Sequence, residues 1–299
     1  MVSVIIPTYG GGDGIEKVIN SILVQTYKDI EIIVVDDNGF GSENQKRTAQ
    51  HLDKYLSENS IKYIIPQQNQ GGSAARNCGA RVSKGGYLMF LDDDDTVSAD
   101  KIEKQVRVLE KSGGKYGMAY CSSRIYANKK LSNIITATDS GDILFKYLMG
   151  KVYIGTGTAL LRRDAWESLG GYNESFVRHQ DWEFFSRVLN NYYAIATPDT
   201  YFNRYITNRN TPQDIKTLEK YADYYIEFLQ KYNFRISDRM IKKVIRRNNS
   251  RVALAYIRNR NIKEALRVLK KYDKLLFSII PFLSFTLSVC SDKLSGRKS

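Results

Sequence analysis

Five short apolar runs alternate with stretches of helical spacing over the first 122 residues of this 299-residue chain. Apolar runs of this length, bounded by polar residues, are typical of strands buried on both faces of a parallel sheet. The predicted strands are Val2–Ile6, Ile30–Val35, Lys62–Ile65, Tyr87–Leu91 and Met118–Ser122, and the predicted helices are Ile15–Gln25, Asn44–Ser57, Ser73–Val82 and Ala99–Lys111. Such alternation predicts an α/β fold whose open, mostly parallel sheet is covered by flanking helices.

Polar residues collect where three of these strands end. Thr8 and Tyr9 follow the first strand, Asp36 and Asp37 follow the second, and the four aspartates 92–95 follow the fourth. In an open α/β sheet, ligands bind outside the carboxyl ends of the strands. The sequence therefore predicts one ligand site, built from several polar groups at a single edge of the sheet.

The four adjacent carboxylates of 92–95 repel one another unless a cation or solvent relieves them. On a strand end, Asp92 and Asp94 point to the same side. Two hard oxygen ligands there suit Mg²⁺ or Mn²⁺ bridging a diphosphate. The alternative is a solvated acidic turn that caps the next helix. The strand before the run and the helix after it favour the metal site.

Two further positions admit both a functional and a structural interpretation. Asp37 can accept hydrogen bonds from a nucleobase or ribose, or it can be a turn residue before Asn38 and Gly39. Arg76 follows the small residues 71–75, which allow the backbone to approach a ligand closely, and its guanidinium donates in a planar fork. The structural alternative is one exposed Arg on a helix that follows a glycine turn.

Seven short segments follow one another in a fixed order along the first two-thirds of the chain. They are VSVIIPTY (2–9), IIVVDDN (32–38), GGSAARN (71–77), FLDDDD (90–95), GTGTALLRR (155–163), GGY (170–172) and QDWE (180–183). In this order they resemble the family 2 glycosyltransferases of GT-A (Rossmann-like) fold, over about residues 1–205. The resemblance implies an inverting, non-processive enzyme of the bacterial polysaccharide type.

The resemblance also implies a role for each matching position. The donor would be a nucleotide-activated sugar, most often a UDP-sugar, and a divalent cation, Mn²⁺ or Mg²⁺, would neutralise its leaving diphosphate. Asp181 matches the catalytic base, which would take a proton from the acceptor hydroxyl. The implied donor-binding residues are Pro7, Thr8, Tyr9, Asp37, Arg76, Asp92 and Asp93, and the implied metal ligands are Asp94 and Asp92.

Departures from the family pattern bear on the expected reaction. The glycines 10–12 replace the Asn that usually follows the Tyr of the first motif, and Gln180 stands where an acidic residue is common. Neither Trp166 nor Trp182 lies in the QxxRW motif of processive polysaccharide synthases, so transfer of one sugar per encounter is predicted. Asp181 also has a structural interpretation, as the N-cap of a helix over 182–189.

The net charge of +13 is concentrated in the last third of the chain. Residues 201–299 hold 22 Lys and Arg against 8 Asp and Glu, whereas residues 1–200 hold 23 against 24. Helical patterns cover this basic third at Leu218–Tyr232, Met240–Ile257 and Ile262–Leu276. The predicted organisation is a transferase domain over 1–210 and a helical basic C-terminal region over 211–299.

The end of the basic region combines positive charge with an apolar segment, residues 275–290, which carries no charge. The helix face before it holds five cations: Lys263, Arg267, Lys270, Lys271 and Lys274. The segment is shorter than the roughly 20 residues of a spanning helix, and Pro281 interrupts it. With its basic flanks it is predicted to dip into one leaflet of an anionic membrane. Packing against the catalytic domain or a second subunit is the alternative.

These patterns favour a glycosyltransferase over two other classes of protein. A nucleic-acid-binding protein would carry stacking aromatics on its charged face, and a sugar nucleotidylyltransferase would carry a basic residue beside the glycines 10–12.

Three widely separated Cys residues exclude a disulfide framework, and no secretory signal is expected at the N-terminus. The prediction is a cytoplasmic enzyme at the inner face of the cell membrane, with a glycan or lipid-linked acceptor and no nucleic-acid partner. The sugar, the linkage and the oligomeric state stay open.

Overall fold

The computed structural model describes residues 1–176, 178–206 and 214–272. Its contacts divide the chain into two units, Met1–Arg209 and Asn210–Ser299. As described, the first unit holds a nine-stranded sheet with flanking helices, and the second unit is helical.

The strands of the first half of the sheet are parallel, as the sequence predicts. β1 (Val2–Thr8) lies between β2 (Ile30–Asp36) and β4 (Tyr87–Phe90), and β3 (Lys62–Ile64) pairs with the far side of β2. Every residue of β1 except Pro7 is buried. Apolar and mostly β-branched side chains explain why these runs form central strands that are covered on both faces.

The second half of the sheet is mixed, which differs from the mostly parallel sheet that the alternation predicts. β6 (Tyr116–Ala127) is parallel to β9 (Tyr193–Ile206) but antiparallel to β7 (Lys130–Ile135) and β8 (Ala159–Arg162). β8 also pairs antiparallel with β4, and the short β5 (Thr96–Val97) pairs antiparallel with β9. For the pair β6–β7 the reason is local, because its two-residue connection is too short for a helical crossover.

Two of these strands carry features that conceal them in the sequence. β7 follows a two-residue turn at Asn128 and Lys129, whose φ angles of 50° and 62° suit a tight hairpin. β9 contains Pro198 and Asp199, which are typical of a turn. The register of β9 against β6 jumps at this point, so residues 198–200 bulge out of the ladder and Pro198 needs no ladder hydrogen bond.

Helices pack on both faces of the sheet. Those of the first unit are α1 (Ile15–Leu23), α2 (Glu43–Ser57), α3 (Gly72–Val82), α4 (Lys101–Glu110), α5 (Leu144–Leu148), α6 (Arg163–Ser168) and α7 (Gln180–Asn191), with a 3-10 turn at Thr156–Thr158. A hydrophobic core joins one face of β1, β2 and β4 to α1, α2 and α4. This packing holds the carboxyl ends of β1, β2 and β4 together at one edge.

α3 approaches the opposite face of the sheet closely at Gly79. A Cβ at this position would lie 2.5 Å from Ile5 Cγ2 and 3.0 Å from Val35 Cγ2. Because either α3 or the sheet must then shift, we expect Gly79→Ala to lower the free energy of unfolding by about 1–3 kcal/mol. Denaturant unfolding measures the loss. Gly113→Ala is the matched control, since a Cβ there contacts nothing within 4 Å, and an equal loss in both variants would contradict the close packing.

The second unit contains α8 (Ile215–Lys231), α9 (Asp238–Arg258) and α10 (Ile262–Tyr272). α9 and α10 form a helical hairpin, whose small core contains Val252, Ala253, Tyr256, Ala265 and Val268. Glu219 of α8 accepts hydrogen bonds from Tyr256 Oη at 2.7 Å and from Arg267 Nη2 at 2.7 Å. This carboxylate therefore connects all three helices.

The expected membrane segment, 275–290, lies outside the described residues, as does Lys274. Within the part of the chain that is described, no helix is both long enough and apolar enough to cross a bilayer. The expected attachment through 275–290 stays a prediction.

Candidate active site

The acidic run 92–95 forms a turn between β4 and β5 at the carboxyl edge of the sheet. The backbone N–H of Asp95 donates to the carbonyl of Asp92 at 3.3 Å, which closes the turn. The strand alternation expected to align Asp92 with Asp94 is therefore wrong, because the ladder with β1 ends at the pair Ile5–Phe90. The side chains of Asp92, Asp93 and Asp94 are partly exposed, whereas Asp95 is buried.

Asp93 fastens this turn to the loop that follows β1. Thr8 Oγ1 donates to Asp93 Oδ2 at 2.5 Å. A Cβ at Gly14 would lie 2.5 Å from the carbonyl oxygen of Asp93, so the glycine loop and the acidic turn are in close contact. Two expected donor-binding residues, Thr8 and Asp93, thus hold each other in place. Tyr9, the next residue, is 63% exposed at the same edge, and Pro7 is partly exposed.

Asp95 is the buried carboxyl group of the acidic turn. Its side chain is 4% exposed, and its Oδ1 accepts a hydrogen bond from the backbone N–H of Tyr205 at 2.9 Å. Burial, together with the charges of Asp92 and Asp94, raises the pKa of Asp95 to about 8. Asp95 therefore stays mostly protonated at neutral pH, as expected where carboxylates share one site.

Asp36 and Asp37, which follow one another at the end of β2, are both buried. Tyr63 Oη donates to Asp36 Oδ2 at 2.5 Å. The carboxylate of Asp37 accepts hydrogen bonds from the backbone N–H groups of Gln70 and Gly71, each at 2.8 Å. Burial, aided by the charge of Asp36, raises the pKa of Asp37 even though these hydrogen bonds lower it. Asp37 therefore holds the loop that begins α3 as well as lying at the expected base-binding position.

Arg76, on the second turn of α3, links the acidic turn to the start of α7. Its Nη2 donates to Asp92 Oδ1 at 2.5 Å, and its Nη1 donates to Gln180 Oε1 at 3.1 Å. The guanidinium lies 5.6 Å from the centre of the Tyr172 ring, and the side chain is buried. The interpretation of Arg76 as an exposed surface residue is therefore wrong. Gln180 supplies a neutral acceptor where the family commonly has an acidic residue.

The segment 170–172 places an aromatic ring beside Arg76. Gly170 and Gly171 have φ angles of 71° and 75°, which L side chains rarely adopt. Asn77 donates through Nδ2 to the carbonyl of Tyr172 at 2.8 Å and accepts from its backbone N–H at 2.9 Å. The glycine pair thus forms a turn that Asn77 of α3 holds on both sides.

Asp181 lies in the first turn of α7, close to this charged group. Because the helix begins at Gln180, the interpretation of Asp181 as its N-cap is wrong. Asp181 Oδ1 accepts a hydrogen bond from the backbone N–H of Trp182 at 2.9 Å. Burial is the main cause that raises the pKa of Asp181, and the charge of Asp92 adds to it, against the lowering effect of the Trp182 N–H. A carboxylate with a raised pKa suits a general base.

A buried ion pair anchors α7 and therefore Asp181. Arg187 Nε donates to Glu183 Oε1 at 2.6 Å. The same guanidinium donates to the carbonyls of Leu169 and Gly171, each at 2.8 Å. These bonds fix α7 to the glycine turn that also positions Tyr172 beside Arg76.

Two residues that the sequence does not single out belong to the same group. Arg204 lies on β9, and its Nη1 donates to Tyr153 Oη at 3.5 Å. The positive charge of Arg204 opposes the pKa rise of both Asp95 and Asp181, so it acts on the acidic turn and on α7 together. In the sequence, Arg204 is marked only by its place among β-forming residues. Pro198 in the bulge makes that segment difficult to identify as a strand.

A comparison with protein families decides the class of protein. The sequence model described as glycosyl transferase family 2 matches residues 3–170, which is more than half of the chain. The chain belongs to glycosyl transferase family 2. The resemblance drawn from the seven segments is thereby confirmed, and the protein is a glycosyltransferase.

Two relatives of this family 2 chain are also described as glycosyltransferases. The uncharacterized glycosyltransferase RP339 of Rickettsia prowazekii is 31% identical over 240 residues, which cover 77% of this chain and 72% of the relative. The amylovoran biosynthesis glycosyltransferase AmsB of Erwinia amylovora is 26% identical over 192 residues, which cover 62% of this chain and 63% of the relative.

Solved structures share the fold of this family 2 enzyme. S. aureus TarS 1–349 in complex with UDP-GlcNAc matches with a TM-score of 0.64 at 14% identity, covering 91% of each chain. The mannosyltransferase PcManGT from Pyrobaculum calidifontis, in complex with GDP-Man and Mn²⁺, matches with a TM-score of 0.63 at 17% identity, covering 96% of this chain and 80% of the other. These likenesses confirm the predicted GT-A α/β fold with flanking helices.

The acidic turn fits part of a divalent-cation site. Among the described residues, no group of three or more His, Cys, Asp or Glu side chains is placed to hold a metal ion. The turn nevertheless offers carboxylate oxygens, the donors that Mg²⁺ and Mn²⁺ prefer, and the Asp92 side chain is 44% exposed beside its bond to Arg76. The charges of Asp92 and Asp94 add to the effect of burial in raising the pKa of Asp95, and a cation would offset their contribution. The donor set fits a cation whose remaining ligands come from a phosphorylated substrate.

Proposed function

We propose that this enzyme transfers one sugar per encounter from a nucleotide-sugar donor, a UDP-sugar, to a hydroxyl of a glycan or lipid-linked acceptor, with inversion. The observation that carries the proposal is the link through Arg76, which joins the acidic turn at Asp92 to the start of α7 beside Asp181. A phosphate-binding element and a candidate base thus share one edge of the sheet. Membership of family 2 selects glycosyl transfer over nucleotidyl transfer and nucleic-acid binding.

The proposed donor site follows the ends of β1, β2 and β4. Exposed Tyr9 and the loop held by Asp37 would flank the base and ribose, with Pro7 and Thr8 behind them. Asp92, Asp93 and Arg76 would face the ribose and diphosphate. The TarS complex contains UDP-GlcNAc and the PcManGT complex contains GDP-Man, so the fold does not determine the base, and the UDP assignment rests on the family resemblance.

The proposed reaction is a single displacement at the anomeric carbon. Asp181 accepts the proton of the acceptor hydroxyl as its oxygen forms a bond to that carbon, and the bond to the diphosphate oxygen breaks with its electron pair. Attack opposite the leaving group inverts the configuration. The guanidinium groups of Arg76 and Arg204 supply positive charge beside the site. Asp94 and Asp92 would hold a Mn²⁺ or Mg²⁺ ion, which when bound neutralises charge on the departing diphosphate.

The proposed setting is polysaccharide assembly at the inner face of the cell membrane. The name of AmsB refers to amylovoran biosynthesis, which supports a glycan acceptor. The concentration of positive charge in residues 201–299 supports peripheral attachment to an anionic surface.

A thermal-shift panel of nucleotide sugars tests the proposal. We expect a UDP-sugar with Mn²⁺ to raise the melting temperature, since a ligand at about 100 times its Kd stabilises the folded state by about 2.7 kcal/mol. The panel pairs UDP-, GDP- and dTDP-sugars with Mn²⁺, Mg²⁺ or a chelator, and includes ATP as a control nucleotide. Equal shifts with ATP and with every nucleotide sugar, or none at all, would contradict a donor site of this kind.

A further inference from the structure

The outer face of α9 carries a dense cluster of positive charge, which we name the α9 basic face. Its members are spread over about half of the helix circumference, and all but Arg247 are exposed: Arg239, Lys242, Lys243, Arg246, Arg247 and Arg251. They span about 18 Å at 1.5 Å per residue. After Asp238, α9 contains no acidic residue.

Three cations of this face have no acidic partner among the described residues. Within the described residues, Lys242, Lys243 and Arg247 make no ion pair with any carboxylate. Burial is the main cause that lowers the pKa of Arg247, and the like charge of Arg251 adds to it, so these two cations repel each other. A protein retains such repulsion at a cost in stability, and an anionic partner would relieve it.

α10 differs from α9 although the sequence predicts a basic stripe there as well. Arg267 Nη2 lies 2.7 Å from Glu219 Oε2, and its Nε lies 2.5 Å from Glu264 Oε2. Lys271 Nζ lies 2.6 Å from Asp223 Oδ2. Two cations of the predicted stripe are therefore already paired inside the helical unit. Among the described residues, more cations without an ion pair lie on α9 than on α10.

We infer that the α9 basic face is the surface by which this transferase docks on the anionic headgroups of a lipid bilayer. The inference rests on the proposed function, since it names the element that would hold the enzyme at its membrane. Lys and Arg near a membrane surface each contribute about 1 kcal/mol of attraction to anionic lipid. A row of cations on one exposed helix face matches a plane of phosphates.

Lipid headgroups fit this face better than a nucleic acid does. Proteins that bind single-stranded nucleic acid interleave aromatic side chains with their cations so that bases can stack. Residues 239–251 of α9 include no aromatic residue, and Tyr256 is buried. The face therefore offers charge for phosphates without surfaces for bases.

The test is vesicle flotation of the full-length chain. The probes are vesicles of phosphatidylcholine mixed with phosphatidylglycerol, and vesicles of phosphatidylcholine alone. The variant Arg239→Gln/Lys242→Gln/Lys243→Gln removes three exposed cations while keeping good helix formers, and we expect about 100-fold weaker binding to the anionic vesicles. The matched control, Lys54→Gln/Lys84→Gln/Lys111→Gln, removes the same charge from exposed positions of the first unit and should bind as the parent does.

Three results would overturn the inference. One is full binding by the α9 variant, which assigns attachment to another part of the chain. Another is equal binding of the parent to neutral vesicles, which assigns attachment to apolar contacts. The third is charge-dependent binding to RNA without binding to vesicles.

Two further measurements test the dependence on charge. Lys242→Arg/Lys243→Arg should keep the affinity for anionic vesicles, and the affinity of the parent should fall as salt rises from about 0.1 M to about 1 M, where the screening length drops to about 3 Å. Flotation needs neither donor nor acceptor, so its outcome is separate from that of the nucleotide-sugar panel.

Discussion

Asp181→Asn is expected to reduce sugar transfer by about 1,000-fold while leaving donor affinity unchanged. The amide cannot accept the proton of the attacking hydroxyl, so the step that depends on the base is lost. The donor is expected to contact the acidic turn and the loop before α3, which the substitution does not touch. Calorimetry with the nucleotide sugar chosen by the thermal-shift panel measures binding, and release of nucleoside diphosphate in the presence of a glycan extract measures turnover.

The pH dependence of turnover gives this prediction a second readout. Only the ionised carboxylate accepts a proton, so turnover falls as the pH drops through the pKa of Asp181. Because burial raises that pKa above the ordinary Asp value of about 3.9, the fall begins at a higher pH than for an exposed Asp. The residual activity of Asp181→Asn should lack this acidic limb.

Asp164 provides a matched control for Asp181. Its Oδ1 accepts a hydrogen bond from the backbone N–H of Ala165 at 2.8 Å, the same local contact that Asp181 makes with Trp182, but Asp164 is exposed on α6. Asp164→Asn should therefore turn over as the parent does. Near-normal turnover of Asp181→Asn would exclude Asp181 as the base, and loss of donor binding in that variant would assign it to the donor site.

The parallel half of the fold could be predicted from the sequence because its signals are local. Each buried strand of this half is a continuous apolar run, and the helices between them repeat their apolar residues at helical spacing. β7 and β9 could not be predicted in this way. One depends on a hairpin turn at Asn128, and the other is a long strand whose Pro198 is tolerated only because the chain bulges against β6.

The candidate site was predictable to a similar extent. The motifs identified the carboxylates and Arg76 because a resemblance assigns roles to matching positions. They could not show that Arg76 joins Asp92 to Gln180, since those bonds span 16 and 104 residues of sequence. Nor could they assign Arg204, whose link to Asp95 and Asp181 exists only after the bulged β9 has paired. These contacts join residues that are distant in sequence, so no local pattern of the sequence indicates them.

Asp94→Asn is expected to weaken Mn²⁺-dependent donor binding on the order of 100-fold, or about 2.7 kcal/mol. Burial is the main cause that raises the pKa of Asp95 to about 8, and the charges of Asp92 and Asp94 add to it, a contribution that a bound divalent cation would offset. Removing the Asp94 charge deletes one proposed ligand and also relieves the repulsion. The pKa of Asp95 should therefore fall in this variant. The thermal stability of the variant protein in the absence of metal should not decrease.

Calorimetry of UDP binding with Mn²⁺ and with a chelator separates the metal from the nucleotide. The parent should lose affinity when the metal is removed, whereas Asp94→Asn should bind UDP weakly and equally in both conditions. Asp53→Asn, an exposed acid on α2, removes the same charge at a distance from the turn and should keep the parent's dependence on metal. Unchanged Mn²⁺-dependent affinity in Asp94→Asn would mean that the turn does not hold the cation. The acidic run would then be a charged turn that positions Thr8 and Arg76 rather than a metal site.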